Sequence, residues 1–79
     1  MPVLLRAKGY RFEFYASDAD EPPHVHVKRN GKHAKFWIEP VVLLEFSVRL
    51  RPHEVSEMRR LVQEHRETFL ELWNAFFGH

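Results

Sequence analysis

The residue pair Asn30-Gly31 constrains the fold of this chain more than any other local feature. Asn and Gly tolerate the positive φ angles of a two-residue type I′ hairpin turn, and alternating apolar and polar residues flank the pair. The sequence therefore predicts an antiparallel hairpin of two strands, His24–Arg29 and residues 32–38. The turn also sets the register of the pairing, because a two-residue loop leaves only one way to align the strands.

This register divides the hairpin side chains between the two faces of the predicted sheet. The core face carries the apolar set: Val25, Val27, Ala34, Phe36 and Ile38. The histidine face carries the polar set with one tryptophan: His24, His26, Lys28, His33, Lys35 and Trp37. A slip by one residue would bury the polar set, so the register is well specified and the histidine face is expected to meet solvent.

The remaining patterns complete an α+β fold. Residues 10–15 alternate apolar and polar, which predicts a strand, and residues 41–46 are apolar and β-prone. From Pro52 onwards, apolar residues recur at steps of three and four, which is typical of a helix. We expect a single domain over residues 1–79: a small antiparallel sheet of three to four strands, packed against a C-terminal helical segment that is long or kinked near residues 64–68.

Composition excludes several classes of site. The chain has no cysteine, so it holds no disulfide, no thiolate zinc site and no cysteine nucleophile. Six histidines remain, so site chemistry is expected to run through imidazole. No apolar run approaches the roughly 18 residues that a membrane span needs. We expect a cytoplasmic protein without a cofactor.

One hypothesis for the histidine face is metal-independent cleavage of RNA. The candidate catalytic residues are the three hairpin histidines: His24, His26 and His33. One imidazole would take the 2′-hydroxyl proton and another would protonate the leaving oxygen, because the histidine pKa lies near neutral pH. The candidate binding residues supply phosphate contacts and a stacking surface: Arg11, Lys28, Lys35 and Trp37. The residue pattern leaves open whether the protein is an enzyme.

A second hypothesis is a metal site. His24 and His26 lie at i and i+2 of one strand and point the same way, with Asp18 of the preceding acidic loop as a third ligand. The neighbouring Lys28 and Lys35 argue against a bound cation. A third interpretation is a polar face without catalysis, covered by a partner or ordered by a hydrogen bond between His24 and Asp18.

The last helical turns have two interpretations as well. Their aromatic residues are Phe69, Trp73, Phe76 and Phe77. Such a stripe usually packs on a sheet. Its apolar content exceeds what one sheet face needs, which also predicts a docking patch for a homodimer.

Several of these residues together resemble a known family. The run Glu-Pro-Pro-His-Val-His-Val at residues 21–27, followed by Gly31 and Ala34-Lys35, is similar to the signature of the domain of unknown function 4160. Phe-Trp-Ile-Glu-Pro-Val at residues 36–41 and Glu-His-Arg at residues 64–66 extend the likeness over almost the whole chain.

The resemblance implies a small prokaryotic protein whose gene often lies beside one for a domain of unknown function 2442. Such gene pairs look like toxin–antitoxin modules, so the resemblance implies a cognate antitoxin-like partner and supplies no enzyme activity. We expect a component of a two-gene module that binds or cleaves RNA through the histidine face. The alternatives are a non-enzymatic protein-binding module, acting as antitoxin or regulator, and a His-x-His metal-binding domain.

Overall fold

The computed structural model describes residues 3–78 and shows an α+β fold, with one antiparallel sheet and two helices. Five strands follow chain order across the sheet: β1 (Val3–Ala7), β2 (Tyr10–Glu13), β3 (His24–Arg29), β4 (Lys32–Trp37) and β5 (Leu43–Val48). The helices are α1 (Pro52–Glu64) and α2 (Arg66–Phe77). Neither of these helices is long and apolar enough to cross a bilayer.

Two hairpin turns of the same kind organise the sheet. Asn30 (φ 48°) and Gly31 (φ 79°) join β3 to β4, and Lys8 (φ 54°) and Gly9 (φ 83°) join β1 to β2. Two successive positive φ angles match the strand twist, which is the property that favours type I′ turns in tight hairpins. All six residue pairs of the predicted β3–β4 register are present, so that prediction is confirmed.

β1 is the strand that the sequence did not predict, and the sheet has one strand more than the three to four expected. Its segment Val-Leu-Leu-Arg-Ala does not alternate, and its pairing with β2 is irregular between Val3 and Leu5. The strand expected at residues 41–46 lies instead at Leu43–Val48. Pairing with β4, and not the apolar run itself, determines where β5 begins and ends.

The core lies between the core face of the sheet and the two helices. The five residues predicted for the core face are all fully buried. Phe12 of β2 and Phe14, which directly follows β2, are buried as well. The helices contribute buried apolar side chains at helical spacing: Met58, Leu61, Val62, Phe69 and Trp73. Phe12 and Phe69 stack with their ring centroids 5.7 Å apart, which ties α2 to β2.

The helical segment breaks at His65, inside the region where the sequence predicted a kink. His65 has φ −108° and ψ 13°, and its Nδ1 lies 2.9 Å from the Leu61 carbonyl oxygen. Arg66, the first residue of α2, donates hydrogen bonds to the carbonyl oxygens of Ile38 and Pro40. These Arg66 hydrogen bonds therefore hold the start of α2 against the segment that follows β4.

Most of the aromatic stripe at the end of α2 packs inside the protein. Phe69 and Trp73 are buried, Phe77 is partly buried, and only Phe76 is substantially exposed, at 47%. The docking patch expected from these four residues therefore loses Phe69 and Trp73 to the core. Because α2 lies across β2, Phe12 packs against Phe69 and Phe14 packs against Trp73.

Candidate metal centre

The histidine face of the sheet is partly covered, although the sequence predicted that it would meet solvent. His24 is fully buried, and His26 retains 7% of its exposure. The chain between β2 and β3 folds back over these two rings, with the Tyr15 ring 4.6 Å from that of His26. Trp73 of α2 also packs against this pair, with its ring centroid 5.1 Å from the ring centroid of His24. Loop and helix thus bury a pair that strand alternation alone would expose.

Asp18 is held in place by the backbone of this returning loop. Its Oδ2 accepts the backbone N–H of Tyr15 at 2.8 Å, and its own N–H donates to the Tyr15 carbonyl at 2.9 Å. These reciprocal bonds close the short 3₁₀ segment Ala16–Asp20 and resemble the capping of a helix start. Asp18 is consequently buried with its carboxylate directed at β3.

Asp18, His24 and His26 bring three potential metal ligands to one point. Asp18 Oδ2 lies 3.1 Å from Nε2 of His24 and 3.4 Å from Nε2 of His26. One ligand atom from each residue lies within 4.8 Å of the other two, and all three residues are buried. Among residues 3–78, neither Nε2 atom has a hydrogen-bond partner.

The other ring nitrogens of both histidines are engaged elsewhere. Nδ1 of His24 lies 2.9 Å from the Pro22 carbonyl oxygen, an acceptor only, so that nitrogen carries a proton. Nδ1 of His26 lies 3.0 Å from Nε2 of His33. With a proton on each Nδ1, both Nε2 atoms would keep a free lone pair close to the Asp18 carboxylate. Outer partners of this kind fix the tautomer and orientation of metal-binding histidines.

The charge state of His26 suits a ligand. Burial lowers its pKa to about 4, and the Asp18 carboxylate only partly opposes this shift. Burial also lowers the pKa of His33. Imidazole binds metal in its neutral form, so at neutral pH His26 is already in the state that coordination requires.

The distances from Asp18 Oδ2 to the two histidine nitrogens are close to those of tetrahedral coordination. Zinc–nitrogen and zinc–oxygen bonds of about 2.0–2.1 Å place adjacent tetrahedral ligand atoms roughly 3.3–3.4 Å apart. The separations from Asp18 Oδ2, 3.1 Å to His24 and 3.4 Å to His26, are close to that value. Three protein ligands would leave one position of the tetrahedron to a further group.

The two lysines that argued against a cation are neutralised by carboxylates. Lys28 Nζ lies 3.2 Å from Glu13 Oε1 and also contacts the Tyr15 hydroxyl. Lys35 forms an ion pair with Glu21 and lies over the Trp37 ring. Hydrogen bonding to Lys35 lowers the pKa of Glu21. Both ammonium charges are therefore balanced locally, and the electrostatic objection to a metal ion is weakened.

The other predicted binding residues surround the cluster on the same face. Arg11 donates to Glu13 at 3.0 Å, and Trp37 Nε1 donates to Glu45 at 2.9 Å. Burial raises the pKa of Glu13, but hydrogen bonds from Tyr15, Lys28 and Arg11 outweigh it and lower that pKa overall. The predicted binding residues therefore surround the buried cluster, and each of them contacts a glutamate.

Four further residues contribute to the site: Glu13, Tyr15, Glu21 and Trp73. The alternation of residues 10–15 already placed Glu13 and Tyr15 opposite the core, so their share of the site was open to prediction. Trp73 is different, because it carried only the signal of a helical core stripe. Nothing local in the sequence indicates that it reaches His24.

Comparison with known proteins identifies the family. The family model described as "Domain of unknown function (DUF4160)" matches residues 9–74. Comparisons with curated proteins and with solved structures give no match. The matched region contains all three residues of the metal cluster, His33, and both helices up to Asn74. Since this region is most of the chain, the protein belongs to the DUF4160 family.

Proposed function

We propose that this protein is a metal-binding domain that holds one divalent transition-metal ion of the zinc class at Asp18, His24 and His26. The observation that carries the proposal is the pair of buried Nε2 atoms without hydrogen-bond partners, both facing one carboxylate oxygen. Buried polar atoms are normally paired, and an unpaired one costs about 1–3 kcal/mol. A cation between the three atoms satisfies all of them together.

The protonation pattern supports this reading over an ordinary histidine–aspartate hydrogen bond. The Pro22 carbonyl holds a proton on Nδ1 of His24, so the neutral form of this ring would present its Nε2 lone pair to the Asp18 carboxylate. Two electron-rich atoms at 3.1 Å repel each other unless a proton or a metal ion lies between them. His26 would present the same problem to the same oxygen atom when its Nδ1 donates to His33.

The donor set indicates which ions would bind. Two imidazoles and a carboxylate suit Zn²⁺, Co²⁺, Ni²⁺ or Fe²⁺, whereas Mg²⁺ and Ca²⁺ prefer all-oxygen sites. Two of these ligands come from adjacent positions on one face of β3, and the third from a loop closed by its own hydrogen bonds. Such a preformed site lowers the cost of ordering ligands on binding.

RNA cleavage by His24, His26 and His33 within a two-gene module stays a prediction of the sequence. Direct acid–base catalysis requires the reacting nitrogen to lie within hydrogen-bond reach of substrate. His24 is fully buried between Trp37, Trp73 and His26, which does not favour such contact. The metal site is therefore the function that the geometry supports best.

The experiment that tests the proposal is metal titration of untagged, chelator-treated protein. We expect one equivalent of Zn²⁺ by calorimetry, and a Co²⁺ complex whose visible spectrum reports four-coordinate geometry. Free metal at about 100 times Kd would stabilise the fold by about 2.7 kcal/mol. For a domain of this size, that raises Tm by roughly 10–20 °C.

The matched control is His53→Ala, because His53 is an exposed histidine in the first turn of α1. His53→Ala should bind like the parent protein, whereas His26→Ala should lose both the calorimetric signal and the rise in Tm. Circular dichroism would establish that each variant is folded. Less than about 0.1 equivalent of bound metal, together with no thermal shift, would contradict the proposal.

A further inference from the structure

The outer edge of β5 is an exposed apolar strand. Within residues 3–78 no strand pairs with this edge, because β5 ends the sheet beside β4. Large apolar side chains are exposed along it: Leu43 at 59%, Phe46 at 39% and Val48 at 45%. Proteins usually protect edge strands with lysine, proline or short length. β5 has six residues and contains neither lysine nor proline.

A bulge gives this strand an unusual arrangement of faces. Lys35 pairs with Phe46 and Phe36 with Leu44, so Glu45 is an extra residue in β5. Glu45 lies on the histidine face, where it accepts the Trp37 indole N–H. Glu45 and Phe46 therefore share one face, although they are consecutive.

The order of faces along β5 consequently reads the same in both directions. Four residues point to the histidine face: Leu43, Glu45, Phe46 and Val48. Leu44 and Ser47 pair with core-face residues of β4. Paired residues of adjacent strands must point to the same side of a sheet. Consider a second β5 that pairs antiparallel with the first. All six residues face partners on the same side of the sheet only when the symmetry axis lies between Glu45 and Phe46.

We infer that the partner of this edge is a second copy of the same chain, paired antiparallel through β5. Leu43 would then lie opposite Val48 of the second copy, Leu44 opposite its Ser47, and Glu45 opposite its Phe46. Neighbouring alignments, displaced by one residue, place core-face residues opposite histidine-face residues. The pairing would join two five-stranded sheets into one and cover the exposed apolar side chains.

The charges that flank the strand favour a second copy. Glu39 precedes β5 and is exposed, whereas Arg49 and Arg51 follow it and are also exposed. Antiparallel pairing brings the basic end of one β5 towards the acidic end of the other, and symmetry repeats the attraction. Such complementarity steers association and disfavours other alignments.

The metal cluster does not enter this inference, so the two proposals can fail separately. Light scattering on the eluting protein, at several concentrations, should give the mass of a dimer that dissociates on dilution. Leu43→Lys/Val48→Lys should be monomeric, since both side chains are exposed and lie opposite each other across the axis. Leu72→Lys is the matched control, because Leu72 is an exposed leucine on α2, and it should remain dimeric.

A cysteine variant tests the register, because the chain has no native cysteine. In the proposed register the two copies of Glu45 lie beside the axis, within the roughly 4.4–6.8 Å between Cα atoms that a disulfide needs. Glu45→Cys should form a disulfide dimer on mild oxidation, and Leu72→Cys should not. A monomer at every concentration would overturn the inference. A dimer that Leu72→Lys abolishes, and that Leu43→Lys/Val48→Lys retains, would also overturn it.

Discussion

Asp18 Oδ2 lies 3.1 Å from Nε2 of His24 while accepting the backbone N–H of Tyr15 at 2.8 Å. One oxygen atom therefore closes the loop and faces the imidazole. The loop contact needs only a hydrogen-bond acceptor, whereas a divalent metal ion also gains from the negative charge of the carboxylate. Because the two requirements differ, a substitution that keeps the acceptor and removes the charge separates them.

Asp18→Asn should bind Zn²⁺ on the order of 100-fold more weakly or worse, since even the loss of an outer-sphere partner costs 10–100-fold. The asparagine carbonyl can still accept the Tyr15 N–H, so Tm without metal should change by only a few degrees. Calorimetry and circular dichroism measure the two effects. Asp20→Asn, an exposed acid in the same loop, should match the parent protein. Equal affinity in Asp18→Asn and the parent would contradict the assignment of Asp18 as a ligand.

His33 should act as a positioning residue for His26. Its Nε2 lies 3.0 Å from Nδ1 of His26, while its own ring packs on Phe46. His33→Phe preserves an aromatic ring there but removes the acceptor, so we expect metal affinity to fall by about 10–100-fold while one equivalent still binds. The titration should be compared with that of His53→Ala. Unchanged affinity would show that His33 does not orient His26.

The hairpin and its faces could be predicted because they follow from local sequence. Asn30-Gly31 allows one turn type, and that turn sets which residues share a face. The same reasoning placed His24 and His26 on one face, and the acidic loop just before β3 supplied Asp18 as the candidate third metal ligand. Their meeting depends on residues that lie close in sequence, with Pro22-Pro23 directing the chain into β3.

The burial of the histidines could not be predicted in this way. It depends on Trp73, from the far end of the chain, and on the path of the returning loop. Alternation along a strand identifies two faces, but it does not show whether a loop covers one of them. β1 escaped prediction for a related reason: it is a short edge strand without alternation, and pairing with β2 defines it.

Trp73 should couple the core to the metal cluster. Its ring is buried against His24, Phe14 and Phe77. Trp73→Ala should cost about 3–5 kcal/mol of unfolding free energy, as large aromatic truncations do, and should weaken metal binding as the support behind His24 is lost. Trp73→Phe should retain more of both properties. Urea denaturation and metal titration provide the readouts.

The control for Trp73→Ala is Leu72→Ala at the exposed neighbouring position, where a loss within about 0.5 kcal/mol is expected. If Trp73→Ala and Leu72→Ala lowered stability equally, Trp73 would not be a core residue. If Trp73→Ala stayed folded with the metal affinity of the parent protein, the proposed support of His24 would be wrong.

Glu54 joins the β3–β4 turn region to the start of α1. Its Oε2 accepts hydrogen bonds from Lys32 at 2.8 Å and Arg29 at 2.9 Å, and its Oε1 accepts the backbone N–H of Arg51 at 3.0 Å. The Lys32 hydrogen bond, followed by the Arg51 backbone bond, lowers the Glu54 pKa from 4.5 to about 2. A carboxylate whose pKa is lower in the folded state stabilises the fold above its unfolded pKa. That stabilisation is lost as pH falls from 4.5 towards 2.

Glu54→Gln should therefore lower Tm at pH 7, by on the order of 5 °C, because the amide keeps the acceptor for Arg51 and loses the charge opposite Lys32 and Arg29. The gap in Tm between the parent protein and Glu54→Gln should narrow below pH 4.5 and be small near pH 2, where about half of the Glu54 side chains are protonated in the folded state. Thermal melts across this range measure it. Glu64→Gln, at an exposed position in the last turn of α1, should show no comparable gap at any pH. A gap for Glu54→Gln that stays constant from pH 7 to pH 2 would mean that the charge of Glu54 does not stabilise the fold, and that only its shape and its bond to Arg51 matter.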